Sequence, residues 1–483
     1  MDKKKVLLVD YQSIAHYMVG DETRELQLQK KALNFIQNQR NGRDTKRKTR
    51  RNYSNALLTL GAWLKQHGIS VSYVNLPGDQ SLYETYCCSA DIVFFWTTTP
   101  IYPFLKKYVT QIKKQYPHLV TLMGGFHASG IPAATLKELD ELDYIVVGEP
   151  EQAMLRYCSG MDPKEIPGMA GRCGEGVFIN GEPDLLTGDE IPAPDYGLLH
   201  GERKNYRYYL QMTRSCPFRC RYCVYGYFWG KVRYRSMDSM RQELTELKEI
   251  MGSSFEMHFF DNIISLDMDR VRELSALISS LGMNLTFSAD IRAEYLTDAR
   301  TVIDLERLGV RQLFFGFEDI TPECRKAANR TLDEQTLIES LRLVKEHSSI
   351  SSNGYWMMGL PGTTAESFQK NIQFVTKLIH EELIESVCPD TIFVPLPGTP
   401  LFNNAEKYGI YDLEDDWTLY QRSNYFPVFS LPTVTREEVF QGLLEFDRAL
   451  IQAEADVLKI DPQEAVCQYL SADGGDCVEE FLR

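Results

Sequence analysis

Compact apolar runs separated by amphipathic stretches dominate the first third of the chain. Residues 5–10, 70–76, 91–97, 119–123 and 143–147 are short runs of mostly β-branched, aliphatic and aromatic residues, the pattern of buried strands. Between them, 55–67 and 104–116 repeat apolar residues at three- and four-residue spacing, which predicts helices with one core-facing stripe. Strands alternating with helices predict βαβ units and an open parallel sheet, in which ligands bind at the carboxyl ends of the strands.

The alternation resumes after a proline-rich stretch. Residues 163–194 hold Pro167, Pro192 and Pro194 around a hairpin-like piece at 174–181, the composition of a connector with little chemistry of its own. Strand-like runs follow at 208–212, 256–260, 284–289, 312–317, 352–358 and 386–394, with helical patterns between them such as 240–251. Further on, 435–458 carries Val439, Leu443, Leu444, Phe446, Leu450 and Ile451 at helical spacing, and Thr435 followed by Glu437 and Glu438 marks its start. Tyr408, Tyr411, Trp417, Tyr420, Tyr425 and Phe426 precede that helix, either as core packing or as a wall over the mouth of a site. The expected divisions are 1–150, 151–205, 206–400 and 401–483.

Composition narrows the function class. The chain of 483 residues is 43% hydrophobic and 25% charged, values of a folded globular protein. No apolar run approaches the roughly 20 residues of a membrane span, and the charged N-terminus with its very short apolar run is too short for a signal peptide. The net charge of −15 argues against nucleic acid or an anionic membrane as the main partner. One local exception is the basic run Arg40, Arg43, Lys46, Arg47, Lys48, Arg50 and Arg51, either a solvated loop or a dock for a carboxylate- or phosphate-bearing substrate or carrier. Eleven cysteines, an odd number with only three clustered, speak against a disulfide framework and for a reducing cytoplasm.

Those three, Cys216, Cys220 and Cys223, follow the run at 208–212 with the spacing C-x3-C-x2-C. Three thiolates on one loop suit a cubane [4Fe-4S] cluster with one iron left open to a small molecule. A zinc site or three unrelated core cysteines are the alternatives, and nearby His200 and His258 form no paired zinc motif. Cys467 and Cys477 have no partner pair nearby and do not read as a second cluster.

The Cys216-Pro217-Phe218-Arg219-Cys220-Arg221-Tyr222-Cys223 loop resembles that of the radical S-adenosylmethionine (AdoMet) superfamily. The resemblance implies a partial (β/α)6 barrel over 206–400, a [4Fe-4S] cluster on the three cysteines and AdoMet at the strand ends. On the AdoMet side it implies Asp261 and Asn262 toward the amino group, and Ser288, Asp290 and Arg292 toward ribose and carboxylate. Glu318 in Gly316-Phe317-Glu318-Asp319 is expected near the ribose hydroxyls, Pro361 in Gly359-Leu360-Pro361-Gly362 beside the nucleoside, and Tyr222 near adenine.

In the first third, Thr97, Thr98 and Thr99, then Gly124, Gly125, Phe126 and His127, then Gly148 and Glu149, follow successive strands. Singly these are ordinary turns; in this order they resemble the cobalamin-binding domain that precedes the barrel in one radical AdoMet subfamily. None of the histidines lies in a D-x-H-x-x-G motif, and Phe126 and Pro150 stand where that subfamily usually has Pro and Gly. A Rossmann-like domain that has lost cobalamin is the alternative. As a whole, the resemblance implies an α/β enzyme with an N-terminal Rossmann-like cobalamin-binding domain, a barrel and a mainly helical C-terminal extension. Its expected reaction is methyl transfer to an unactivated carbon through a 5′-deoxyadenosyl radical and methylcobalamin. The rival outcome is a cyclisation or ring rearrangement without methylation. Expected partners are a small-molecule or carrier-bound substrate and a low-potential electron donor such as flavodoxin or ferredoxin.

Overall fold

The computed structural model describes residues 4–11, 33, 37, 50–421 and 426–461; the side chains of 388–390 are outside that description. Arg40, Arg43, Lys46, Arg47, Lys48, Tyr425, Cys467 and Cys477 lie outside the described residues. Among the described residues no helix is long and apolar enough to cross a membrane.

Two sheets organise the fold, one mixed and one parallel. The first is seven-stranded, in the order β2-β1-β3-β4-β5-β6-β7. Its strands are β1 (Lys5–Tyr11), β2 (Ser70–Leu76), β3 (Ile92–Thr97), β4 (Val120–Gly125), β5 (Tyr144–Val146), β6 (Met169–Cys173) and β7 (Gly176–Ile179). β1 to β5 are mutually parallel, whereas β6 pairs antiparallel to β5 and β7 to β6. The hairpin expected at 174–181 is thus part of the first sheet. β3 is buried along its whole length, because helices cover both faces. The helix Asn55–Gln66 begins where Ser54 accepts a hydrogen bond from the Leu57 amide at 3.3 Å, and packs Leu57, Leu60 and Leu64 onto that sheet.

The second sheet is six-stranded, in the order β15-β14-β13-β12-β11-β8. Its members are β8 (Tyr209–Leu210), β11 (Ser254–Phe259), β12 (Asn284–Ile291), β13 (Val310–Glu318), β14 (Ser351–Met358) and β15 (Ser386–Ile392), all parallel, with β8 and β15 at the two edges among the described residues. An antiparallel ribbon of β9 (Thr213–Arg214) and β10 (Arg233–Tyr234) brackets the cysteine loop. β12 alternates strictly: Leu285, Phe287, Ala289 and Ile291 are buried under the helices, while Thr286, Ser288 and Asp290 are half-exposed on the opposite, inner face. An open barrel therefore presents polar side chains to a hollow interior, as expected from the sequence.

The helix Arg436–Leu458 starts at a capping box in which Thr435 and Glu438 serve each other's backbone amides. Gly442 lies against the Phe368 ring, where an added Cβ would be 2.8 Å away, so this helix packs tightly on the helix Ala365–His380. The extension thus buries the outside of the barrel, and its nearer segment places Trp417 5.2 Å, centroid to centroid, from His127 of the first domain.

Candidate functional site

A cavity of about 600 Å³ opens between the two sheets, lined by residues from both. From the first come Asp10, Tyr11, Trp96, Thr98, Phe104, Phe126 and Glu149; from the second, Tyr209, Gln211, Arg214, Ser215, Tyr225, Trp229, Phe260 and Asn262. Thr418 and Gln421 of the extension also reach it. Both sheets thus point their carboxyl ends at one chamber. Its walls are aromatic: Tyr11 stacks on Phe104 with centroids 5.4 Å apart and planes at 9°, and Trp96 stacks on Trp229 at 6.3 Å and 12°.

Buried charges clamp the two halves beside this chamber. Arg214, one residue before the cysteine loop, donates to Glu149 at 3.0 Å and to Glu151 at 2.7 Å, and Arg233 donates to Glu149 as well. Burial works against ionisation of Glu149, yet Arg214 and Arg233 together hold its carboxyl below the usual range. One Glu151 oxygen is buried without a partner.

The three thiols are free; Cys220 is buried, and Cys216 and Cys223 are partly so. Burial raises the Cys216 thiol and pushes that of Cys223 up to about 12, so metal coordination would have to hold both as thiolates. Among the described residues no three His, Cys, Asp or Glu side chains are grouped to hold a single ion. Three thiols spread along a loop suit a polynuclear cluster, in which each takes its own iron. Beside them, Arg292 Nη1 lies 3.6 Å from Cys220 Sγ, its guanidinium covers the Phe218 ring at 3.7 Å, and its buried Nε has no partner. That orphaned donor fits an incoming carboxylate. Ser215 in the loop and Glu318 at the end of β13 both adopt positive φ, at 76° and 59°, a strained state typical of sites that aim a side chain.

The residues expected on the AdoMet side differ in what they already hold. Tyr222 donates to Glu318 at 2.8 Å, Tyr355 to Asp290 at 3.1 Å, and Ser288 pairs with His258 at 2.8 Å, all on the inner face of the barrel. Pro361 is buried in the turn after β14. Asp261 is fully enclosed: its two oxygens accept from the Met212 amide at 2.8 Å and the Thr213 hydroxyl at 2.5 Å, and burial pushes its carboxyl up to about 6. It ties the end of β11 to the strand leading into the cysteines, and its neighbour Asn262 reaches the chamber, donating to the Ser215 carbonyl at 3.2 Å.

On the other side, Thr98, Phe126 and Glu149 line the chamber. Thr97 turns its hydroxyl onto the Gly124 carbonyl at 2.8 Å, and Thr99 is buried. The glycines make room for neighbouring protein segments. A Cβ on Gly125, whose φ is +94°, would lie 2.3 Å from the Thr97 carbonyl oxygen, one on Gly124 2.6 Å from the Phe94 ring, and one on Gly148 2.8 Å from Pro183. They let β3 and the connector pack closely on the strand ends. His127 is sandwiched between Tyr102, at 4.2 Å, and Trp417, and burial lowers its pKa to about 4. It is not among the side chains that line the chamber.

Sequence reasoning missed Asp10, Tyr11, Arg214, Tyr225 and Trp229 as chamber residues. Asp10 and Tyr11 end the first strand, so the strand-end rule that selected Thr97 and Gly124 applied to them too.

Comparison with known proteins agrees with this layout. Residues 210–375 match the model of the radical SAM superfamily and residues 52–157 that of the B12 binding domain. The chain is 26% identical over 333 residues to an uncharacterized methyltransferase of Pyrococcus horikoshii, covering 67% of this chain and 70% of that one. It is 24% identical over 367 residues to an anaerobic magnesium-protoporphyrin IX monomethyl ester cyclase of Rubrivivax gelatinosus, covering 70% of this chain and only 63% of that one. The fold is similar to that of the radical S-adenosylmethionine methyltransferase TsrM from Kitasatospora setae, solved with cobalamin and a [4Fe-4S] cluster bound, at 16% identity and a TM-score of 0.65 over 93% of this chain and 89% of that one.

Proposed function

We propose that this chain, which belongs to the radical SAM superfamily and carries a B12-binding domain ahead of its barrel, is a cobalamin-dependent methyltransferase acting on an unactivated carbon of a small-molecule or natural-product intermediate. The observation that carries the reading is the shared chamber: residues from both sheets meet at one aromatic cavity, lined in part by Ser215 and Tyr225, which bracket the three cysteines in the chain. When bound, the cluster and AdoMet supply a carbon-centred radical and cobalamin supplies the methyl group.

The protein's part is placement. Cys216, Cys220 and Cys223 would hold the cluster. Asn262, Ser288, Asp290, Arg292, Glu318, Tyr222 and Pro361 would surround AdoMet, with Asp261 setting the position of the cysteine loop through Met212 and Thr213. Thr98, Phe126 and Glu149 would meet cobalamin, and Thr97, Thr99, Gly124, Gly125, His127 and Gly148 support them from behind. The aromatic walls exclude water and hold the substrate between the two cofactors, where orientation contributes most to the rate. Thiols at a low-potential cluster need a reducing compartment, which favours the cytoplasm.

The test is anaerobic reconstitution with iron, sulfide, cobalamin, AdoMet and candidate substrate. Expected products are 5′-deoxyadenosine, S-adenosylhomocysteine and a methylated product. Deoxyadenosine with neither of the other two would eliminate methyl transfer and favour the second reading, cyclisation, which the Rubrivivax gelatinosus relative supports. A Cys216→Ala, Cys220→Ala, Cys223→Ala variant that cleaves AdoMet at the wild-type rate would remove the cluster assignment.

A further inference from the structure

In a chain of net charge −15, residues 203–237 contain no Asp or Glu while basic residues recur throughout, and this segment carries the three thiols. The fold sorts those cations into two sets. Arg214, Arg233 and Arg235 turn inward and are neutralised by Glu149, Glu151 and Glu243. Arg219 and Arg221, which flank Cys220, meet rings and carbonyl oxygens instead. Arg219 is exposed and lies over Tyr227 at 5.8 Å; Arg221 lies over Tyr408 at 5.5 Å and donates to the Lys326 and Ala327 carbonyls at 2.7 and 3.1 Å.

Backbone contacts stitch this edge of the cysteine loop to two other segments. The Arg221 amide donates to the Ala328 carbonyl at 3.0 Å, the Leu401 amide to the Arg221 carbonyl at 3.2 Å, and Asn329 to the Arg219 carbonyl at 2.8 Å. Two exposed lysines join the same face: Lys326, and Lys407, whose Nζ shares the Tyr408 ring at 5.8 Å. Exposed Glu323 and Glu406 are the nearby carboxylates in sequence, and the face keeps a positive excess. Beside Arg219, Tyr227 is a large aromatic left 36% exposed, its hydroxyl donating to the Arg219 carbonyl at 3.0 Å. A positive face with an exposed aromatic ring, on an acidic protein, is the footprint of an electrostatically steered interface.

We propose that Arg219, Arg221, Lys326 and Lys407, with Tyr227, dock an acidic, low-potential one-electron carrier protein against the outer edge of the cysteine loop. The inference rests on the assignment of a cluster to Cys216, Cys220 and Cys223. In the transfer the carrier is oxidised by one electron and the cluster reduced by one, with no bond or proton exchanged.

Reduced flavodoxin, an acidic flavin carrier, is the probe, and its binding to the reconstituted enzyme is read by calorimetry. Wild-type affinity is expected to fall as ionic strength rises, because screening weakens contacts between exposed charges. The Arg219→Glu, Lys326→Glu, Lys407→Glu variant is expected to bind roughly tenfold more weakly or worse and to accept electrons from flavodoxin correspondingly slowly, while dithionite still reduces its cluster as in the wild type. Equal binding by variant and wild type, or wild-type binding indifferent to salt, overturns the proposal. The salt titration needs no variant and stands even if the triple substitution misfolds. Loss of the parent assignment is distinguishable, since the wild type would then take up no iron–sulfur chromophore at all.

Discussion

The two sheets present side chains by different means. In the first, the strands are covered on both faces, and several polar groups at their ends are spent internally: Thr97 on the Gly124 carbonyl and the Gly148 amide on Ser129 at 3.0 Å. That sheet offers the chamber residues at the ends of two strands, Asp10 and Tyr11 of β1 and Trp96 of β3, and beyond the strand ends Thr98, Phe126 and Glu149. In the second, one face is hollow, and alternation along β12 and β13 brings Ser288, Asp290 and Glu318 to the interior directly. A doubly covered sheet reaches a ligand only at its strand ends and the residues that follow them, whereas a barrel wall also offers side chains along the length of its hollow face.

Five substitutions, one of them a control, bear on that contrast. The largest effect is expected at the clamp between the halves. Arg214→Met leaves Glu151 buried without its cation, which should cost about 3–5 kcal/mol of stability; an unshifted denaturant midpoint would mean the halves are held by apolar packing alone. Next, Gly125→Ala forces a Cβ to 2.3 Å from the Thr97 carbonyl oxygen at φ +94°. It should cost about 1–3 kcal/mol and lower the corrinoid retained on purification. Gly160→Ala is the control, because its φ is +91° with nothing within 4 Å. It carries only the backbone strain and should leave the visible spectrum unchanged, and equal losses of corrinoid in both would deny the first sheet's packing any role in binding.

Asp261 and Glu149 predict opposite responses to acid. Burial lifts the Asp261 carboxyl from its ordinary 3.8 to about 6, so the folded state binds that proton more tightly than the unfolded state. Its ionisation penalty is full above about pH 6 and disappears as pH falls toward 3.8. Asp261→Asn should flatten this part of the stability profile, measured by denaturant unfolding across the window. Glu149 is shifted down, so its contribution is present above its unfolded pKa and is lost as pH falls through its lower folded value. An Asp261→Asn profile as steep as the wild type's would place that titration elsewhere. The smallest effect is expected for Tyr222→Phe, which removes one hydrogen bond to Glu318. AdoMet affinity, by equilibrium titration, should weaken by about 1 kcal/mol, and no change would separate Glu318 from the nucleoside.

Much of this was legible in the chain. The run at 91–97 matches β3 within a residue, and 284–289 falls inside β12, because period and strand length are local properties. The cysteine loop was legible for the same reason, its spacing lying within eight residues. Asp261 was legible as a strand-end carboxylate, but its capture by Met212 and Thr213 was not, since those partners approach only when β8 pairs with β11. The packing that Gly124 and Gly125 permit was not legible, because a clash between β3 and β4 depends on their register, and no single strand displays it.

By itself, then, the sequence determined the alternation of strands and helices, the thiol spacing and the sites where loops leave strands, all of them consequences of neighbouring residues. Only the tertiary structure decided that Asp10, Trp96, Arg214 and Phe260 line one chamber. Their proximity depends on how two separately formed sheets pack, and on the buried Arg214, Glu149 and Glu151 contacts that bring distant segments together, for which no local pattern codes.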